Sequence, residues 1–469
     1  MAFTKLVCTL GPASADRVGE LVEAGMDVAR INLTHGSRKD HDSLVRSVRA
    51  ASEAAGRPVG VMTDLSGPKI RLGELAAEEV VLRAGQRFVL RPGADDAGDG
   101  DGAGVNHLAL GSDLEPDDRV LLADGSVELM VTGTGSEVVT QVVRGGPIRS
   151  RAGVNVPSER LSVPAITSKD EHDIGWVLRA GVDMVAQSFV RHGDDVRALA
   201  GLLGDPRPLL VAKVETRPAA DAAEEILEAA DAVMVARGDL GVETRIEEIP
   251  VLQKRLVSLA NRMAKPAIIA TQMLETMTAS PQPTRAEASD AAGAVFEGAD
   301  AILLSAETAV GRYPVEAAMT AARILHVAET DGAPFVARPG ELESVAAEEV
   351  GLARAAAVVA DRDRAAAIAC YTLSGTTARL LSAARPAAPV LAFSPDPATV
   401  GRLTLFRGVR PFLAEEAADL DSMIGMMDRR VREAGAATSG QDVVMVASSP
   451  AGRQHANLLK LHRLGADGA

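Results

Sequence analysis

Apolar and polar positions follow one repeating order through most of this chain. A short run of buried-type residues is followed by a longer alanine-rich stretch of helical composition. The short runs fall at residues 5–10, 28–33, 59–65, 184–190, 209–214, 232–235, 267–271 and 301–304. Helical stretches such as 16–24, 41–55 and 249–263 separate most of them. Buried strands alternating with helices pair in parallel. Eight such units predict an α/β fold, a closed (β/α)8 TIM barrel. An open doubly wound sheet competes, but the G-x-G-x-x-G fingerprint of dinucleotide folds is missing after the first strand.

The rhythm breaks once. From 72 to 156 the helical pattern gives way to Val, Thr and Arg in short alternating runs at 80–83, 87–90, 127–131 and 138–143. Gly- and Asp-rich turns divide them, PGADDAGDGDGAG at 92–104 among them. This predicts an all-β domain inserted after the third strand, at the rim where a barrel carries its active site, and so placed to act as a lid. A helix at 314–330 follows the eighth strand, and the linker DGAPFVARPGE follows the helix. Strand-like runs at 367–371, 390–393 and 443–447 then predict a separate α/β domain. The expected boundaries are 1–71 and 157–335 for the barrel, 72–156 for the lid and 341–469 for the C-terminal domain.

Composition narrows the function classes. The net charge of −15 argues against nucleic-acid binding, which needs a basic face. It leaves room for a small basic pocket that takes a phosphorylated metabolite. The two cysteines, Cys8 and Cys370, sit in apolar runs and read as buried thiols. No run approaches membrane-spanning length and the start lacks a signal-peptide profile, so the expectation is a cytoplasmic protein without a membrane partner.

Candidate chemistry collects where strands end. A parallel βαβ unit sends both strand C-termini to one end of the sheet, so Lys213, Glu215 and Asp239 meet at one rim. Two carboxylates there suit a divalent cation, and an ammonium beside them suits an anionic substrate. A surface ion-pair cluster is the plainer alternative. The second strand adds Arg30, Asn32 and Thr34 at period-2 spacing, with His35 beyond. An arginine fork matches phosphate. The third strand adds Asp64, Lys69 and Arg71, the seventh Thr271, Gln272 and Glu275, and the eighth Ser305 and Glu307. Polar groups at one end of several strands point to an active site.

These stretches resemble the pyruvate kinase family over nearly the whole length. The resemblance rests on CTLGPAS (8–14), GMDVARINLTHGS (25–37), DLSGPKIR (64–71), AKVE (212–215), VMVARGDLGVE (233–243) and KPAIIATQMLETM (265–277). PTRAEASD (283–290) and GADAILLSAETAVGRYP (298–314) complete the series. It implies a cytoplasmic glycolytic phosphotransferase that passes the phosphoryl group of phosphoenolpyruvate to ADP, giving pyruvate and ATP. Glu215 and Asp239 would bind Mg²⁺, with Mn²⁺ as a substitute. Lys213 would stabilise the transferring group and Arg30 would grip the phosphate. Amides around Gly238 and Asp239 would receive the substrate carboxylate. Thr271 would stand near the carbon that is protonated, acting through a water or relay with Ser305. Asn32, His35, Arg71 and Lys169 match nucleotide contacts.

The family often holds K⁺ on residues matching Asn32, Thr34, Asp64 and the carbonyl of Leu65. Members needing K⁺ usually carry glutamate where this chain has Lys69, and Leu65 replaces the usual threonine. The expectation is that Lys69 substitutes for the ion, so K⁺ is not required. TLSGTTARL (372–380) resembles the effector loop, with Ser374, Gly375, Thr376 and Thr377 cradling the phosphate of an effector. SSPAGRQHANLLKLHRL (448–464) departs from the family pattern. A homotetramer is implied by the resemblance. Two other readings compete: a Mg²⁺-dependent barrel aldolase or lyase acting on pyruvate or its enolate, and a catalytically silent metabolite-sensing paralogue.

Overall fold

Strands apolar on both faces must be covered on both sides, and closure with helices outside achieves that. In the computed structural model, which describes residues 2–94, 97–123, 125–337, 342, 347–448 and 456–465, eight strands close as a parallel barrel. They are β1 (Lys5–Thr9), β2 (Val28–Asn32), β3 (Gly60–Asp64), β12 (Met184–Gln187), β13 (Leu209–Val214), β14 (Ala232–Ala236), β15 (Ala267–Ala270) and β16 (Ala301–Leu304). Register sets Asn32 level with Asp64, and Asp64 level with Ala186. Side chains at these levels therefore meet at the C-terminal rim.

The predicted helix at 41–55 runs Arg38–Ala54, started by a Ser37–Asp40 capping box. Between the fifth and sixth barrel strands lie two short helices, Arg217–Asp221 and Ala223–Ala229. Thr216 caps the first, and its Pro218 sits in the opening turn.

The insert contributes β4 (Val80–Leu82), β5 (Arg87–Pro92), β6 (Gly102–Val105), β7 (Arg119–Leu122), β8 (Val127–Gly133), β9 (Val138–Arg144), β10 (Gly146–Ile148) and β11 (Val154–Asn155). Six of them form one sheet in the order β11-β7-β8-β9-β5-β6, and β10 pairs with β4. The reading of 92–104 as a turn needs correction, because its last residues belong to β6. A Cβ at Gly104 would lie 2.1 Å from the Ala94 carbonyl oxygen, so close backbone packing demands that glycine. β7 was also missed.

The C-terminal sheet is β19-β18-β17-β20-β21. Its strands are β17 (Ile368–Tyr371), β18 (Val390–Ser394), β19 (Val409–Leu413), β20 (Asp442–Ala447) and the antiparallel edge strand β21 (Leu458–Arg463). β19 and β21 escaped the pattern reading. Of the divergent stretch 448–464, residues 449–455 lie outside the described residues, as do 338–341 at the end of the linker.

The barrel interior and the C-terminal domain share one apolar cluster, from Met62, Met184, Met234 and Ile268 to Ile368, Val390, Leu405 and Phe406. Contact there is tight. A Cβ on Gly401 would sit 1.9 Å from Asp183 Oδ1, so only glycine fits. Both cysteines are buried and free, and among the described residues no helix is long and apolar enough to cross a membrane.

Buried ion pairs fasten the two bodies. Arg385 meets Asp300 at 3.0 Å and Arg407 meets Glu329 at 3.2 Å. Asp300 also accepts the Ala267 amide at 2.9 Å. Burial raises the Asp300 carboxyl above its ordinary pKa, with Arg385 opposing. Removing one partner of such a pair strands a buried charge. Arg385→Met should therefore lower stability by about 3 kcal/mol or more, read from urea unfolding of the full chain. A loss below about 1 kcal/mol would show the pair to be dispensable.

Candidate active site

Asp64, last residue of β3, is almost wholly buried and serves two cations. Arg30 donates to its Oδ2 through Nε at 2.8 Å and Nη2 at 2.6 Å, while Arg30 Nη1 reaches Thr9 Oγ1 at 2.9 Å. Lys213 approaches Asp64 Oδ1 at 3.2 Å, Ser188 Oγ at 2.8 Å and Glu215 Oε1 at 2.6 Å. The Ser188 hydroxyl donates to the Leu65 carbonyl at 2.8 Å. Phe189, held at φ +55°, gives its amide to Glu215 Oε2 at 2.9 Å. Residues from β2, β3, β12 and β13 thus converge as their register requires.

The electrostatics follow. Burial works against the Asp64 charge, but Lys213 and Arg30 prevail and hold its pKa at about 2. Burial likewise opposes the Lys213 charge, and Asp64 and Glu215 outweigh it, so Lys213 lies above its ordinary value and stays cationic. Burial raises the Glu215 carboxyl, Lys213 pulls it back in part, and the Asp239 charge adds to the rise. A divalent cation between Glu215 and Asp239 would relieve that strain between like charges.

Asp239 opens the short helix Arg237–Glu243. The Gly238 amide donates to Thr271 Oγ1 at 2.8 Å, and that hydroxyl donates to the Ala270 carbonyl at 2.6 Å. No bond joins Thr271 to Ser305, whose amide goes to Glu307. Thr271 has φ +70° and Gln272 φ +54°. A β-branched residue in the left-handed region is strained. Arg237 braces this turn. It donates to the Thr271 carbonyl at 2.6 Å and pairs with Asp290 at 2.7 Å.

The expected nucleotide residues are spread along the same rim. The Asn32 side-chain oxygen accepts the Thr34 amide at 3.0 Å, and the Thr34 hydroxyl meets Ser66 at 3.4 Å. Lys169 donates to the Leu33 carbonyl at 2.9 Å, to Ser66 Oγ at 2.9 Å and to Asp173 at 2.7 Å. Burial lowers the His35 pKa, and Lys69, Arg71 and Arg30 lower it further. Arg71 and Lys69 line a cleft of about 460 Å³ with Arg149 and Arg151 of the insert, Phe189 and Asp239. Lys69 is exposed there and makes no hydrogen bond to Asn32, Thr34 or Asp64. Ser188, Phe189 and Arg237 were not foreseen as site residues. The strand-end rule applied to β12 would have found the first two.

The barrel-domain model of pyruvate kinase matches residues 1–318 and its alpha/beta-domain model residues 351–462. The chain belongs to the pyruvate kinase family. It is 41% identical to a Corynebacterium efficiens pyruvate kinase over 99% of this chain and 98% of that one. A Mycobacterium tuberculosis pyruvate kinase is 42% identical over the same shares. A crystal structure of a pyruvate kinase from Cryptosporidium parvum superposes with a TM-score of 0.90 at 30% identity, covering 99% of this chain and 96% of that one. A pyruvate kinase is a phosphotransferase acting in glycolysis, and the family implies phosphoenolpyruvate, ADP and pyruvate as its substrates. The aldolase or lyase alternative is thereby set aside. So is the silent paralogue, since Lys213, Glu215, Asp239 and Thr271 are all present.

Asp64 generates a test. Its pKa in the fold lies below the ordinary 3.8, so its stabilisation is complete above about pH 4 and disappears as pH falls through about 2. The shift corresponds to about 2–3 kcal/mol. Asp64→Asn should destabilise the fold at pH 7 and should lack this acid-side loss when urea unfolding is followed from pH 5 to pH 2.5. An equally steep acid-side loss in wild type and variant would assign the loss to other carboxylates.

Proposed function

We propose that this pyruvate kinase transfers the phosphoryl group at the rim centred on Lys213. The carrying observation is a buried ammonium kept charged by Asp64 and Glu215 at 3.2 and 2.6 Å. A lysine whose pKa is raised does not serve as a proton donor at neutral pH. Its role is a fixed positive charge aimed at the transferring phosphoryl and the enolate oxygen. Arg30, only 11% exposed, presents its remaining edge to the phosphate. The Asp239 end of the short helix receives the substrate carboxylate. The Thr271 hydroxyl orients the water or relay that protonates the enolate, because a threonine alone is a poor acid.

Glu215 and Asp239 would hold Mg²⁺, or Mn²⁺ in its place. Two hard carboxylates suit an ion that keeps waters and takes substrate oxygens as its other ligands. When bound, the ion supplies charge neutralisation for the phosphate and carboxylate oxygens. Asn32, His35, Arg71 and Lys169 face the nucleotide. The β insert acts as a lid, its Arg149 and Arg151 forming one wall of the cleft. Ser374–Thr377 takes the phosphate of an effector. The protein is a cytoplasmic homotetramer by family likeness, with neither nucleic acid nor membrane as a partner.

Lys213→Met should fold normally yet lose at least about 10²-fold in turnover, measured by coupled pyruvate formation from phosphoenolpyruvate and ADP. Turnover within tenfold of wild type would remove Lys213 from this role.

The enzyme works without K⁺. Lys69 supports this reading, since its ammonium faces the cleft with no carboxylate partner among the described residues and its field reaches His35. Its contribution is a positive charge on the cleft wall rather than ligation of the four oxygens. An added K⁺ would meet that like charge at the same rim. Rates in K⁺-free buffer, with ionic strength held by a tetraalkylammonium salt, should nearly equal those at saturating K⁺. Lys69→Glu should introduce a K⁺ requirement. Tenfold stimulation of the wild type by K⁺ would overturn the idea.

A further inference from the structure

Two halves of the nucleotide edge come from different parts of the chain. Asn32, Thr34 and His35 close β2 and lead into the helix Arg38–Ala54. Lys169 stands in the first turn of the helix Ser168–Ala180, where the chain returns from the insert. Strand register does not set one half against the other, because Lys169 lies outside the strands.

Side-chain contacts do so instead. Asp173 is only 1% exposed, and its two oxygens serve two cations. Oδ2 accepts from Lys169 at 2.7 Å, and Oδ1 accepts from Arg38. Arg38 lies over the ring of Trp176, 4.9 Å from its centroid. Trp176 donates to Asp42 Oδ1 at 2.7 Å. His41 packs on the same ring, and its Nε2 donates to the His35 carbonyl at 2.7 Å. The helix after β2 is thus riveted to the helix that carries Lys169.

Helix stability does not account for the Lys169–Asp173 pair. A cation in a first helical turn opposes the macrodipole, and lysine before the acid is the weaker order for an i, i+4 pair. Lys169 is also 52% exposed, so the ion pair by itself contributes little. What the pair fixes is the place of the ammonium. Its three protons go to Asp173, to the Leu33 carbonyl at 2.9 Å and to Ser66 Oγ at 2.9 Å. A flexible lysine stem would otherwise let that charge wander.

We propose that Asp173 is a positioning residue for the nucleotide. It holds the Lys169 ammonium at one point facing the phosphates of the bound nucleoside diphosphate. Through Arg38 it holds that point at a set offset from Asn32 and His35. The proposal rests on reading Lys169, Asn32 and His35 as nucleotide contacts. Among the described residues Asp173 pairs with Arg38 and Lys169 and does not meet Arg30, Lys213 or Glu215. Its effect therefore belongs to one of the two substrates.

The test is steady-state kinetics of the full chain with each substrate varied in turn. Asp173→Asn keeps the shape and loses the charge. It should raise the KM for ADP at least about tenfold, the loss expected for a hydrogen bond to a charged group. The KM for phosphoenolpyruvate should stay within about twofold, whereas a loosened fold would move both. Lys169→Met should raise the KM for ADP as far, and in that background Asp173→Asn should add less than about twofold, since Asp173 acts through Lys169. Lys169→Arg keeps the charge but cannot offer three protons to the same acceptors, so it should raise the KM for ADP at least about fivefold. That variant decides the matter should Asp173→Asn not fold. An unchanged KM for ADP in Lys169→Met would overturn the nucleotide reading. A raised KM there, with Asp173→Asn or Lys169→Arg like wild type, would overturn the role of Asp173 alone. Equal rises in both KM values for Asp173→Asn, or full additivity with Lys169→Met, would overturn it as well.

Discussion

The catalytic rim depends on one buried carboxylate. Asp64 lies between Arg30 and Lys213, and each would otherwise bring an unpaired cation into the same low-dielectric space. Two positive charges at one rim repel one another, and a single anion between them offsets both. The position is set by backbone register, since Asp64 ends β3 between β2 and β12. Strand pairing therefore determines charge placement, and charge placement determines what the rim can bind.

The two ends of the barrel are built for different purposes. The rim end is polar and braced by side-chain hydrogen bonds. The opposite end runs into the C-terminal domain through a shared apolar cluster and a few buried ion pairs. Apolar contact of that kind is non-directional, whereas the pairs fix orientation. The combination holds the domain firmly and gives it defined positions.

Much of this was legible in the sequence, for stated reasons. The barrel strands are buried on both faces, so their apolar runs stand out against helical spacing. Charged residues that end those runs had to meet at one rim. Other parts were hidden. β6 carries glycines that pattern reading assigns to turns, though Gly104 serves a close backbone approach. β19 and β21 have half-buried, mixed patterns typical of strands near a sheet edge. Asp64 was expected to serve a cation site with Asn32 and Thr34, and its clamp on Arg30 and Lys213 needed three-dimensional pairing to be seen. Arg237 could not be foreseen, because its partners, the Thr271 carbonyl and Asp290, are distant in sequence.

The left-handed backbone at Thr271 has an energetic consequence. Such a residue carries roughly 1–3 kcal/mol of conformational cost. Glycine would adopt the same φ without that cost, yet it would remove the hydroxyl that meets the Gly238 amide. Relief of the backbone cost at this position would thus come only with loss of the hydroxyl bridge between the Gly238 amide and the Ala270 carbonyl, so two local terms of similar size oppose one another in this turn.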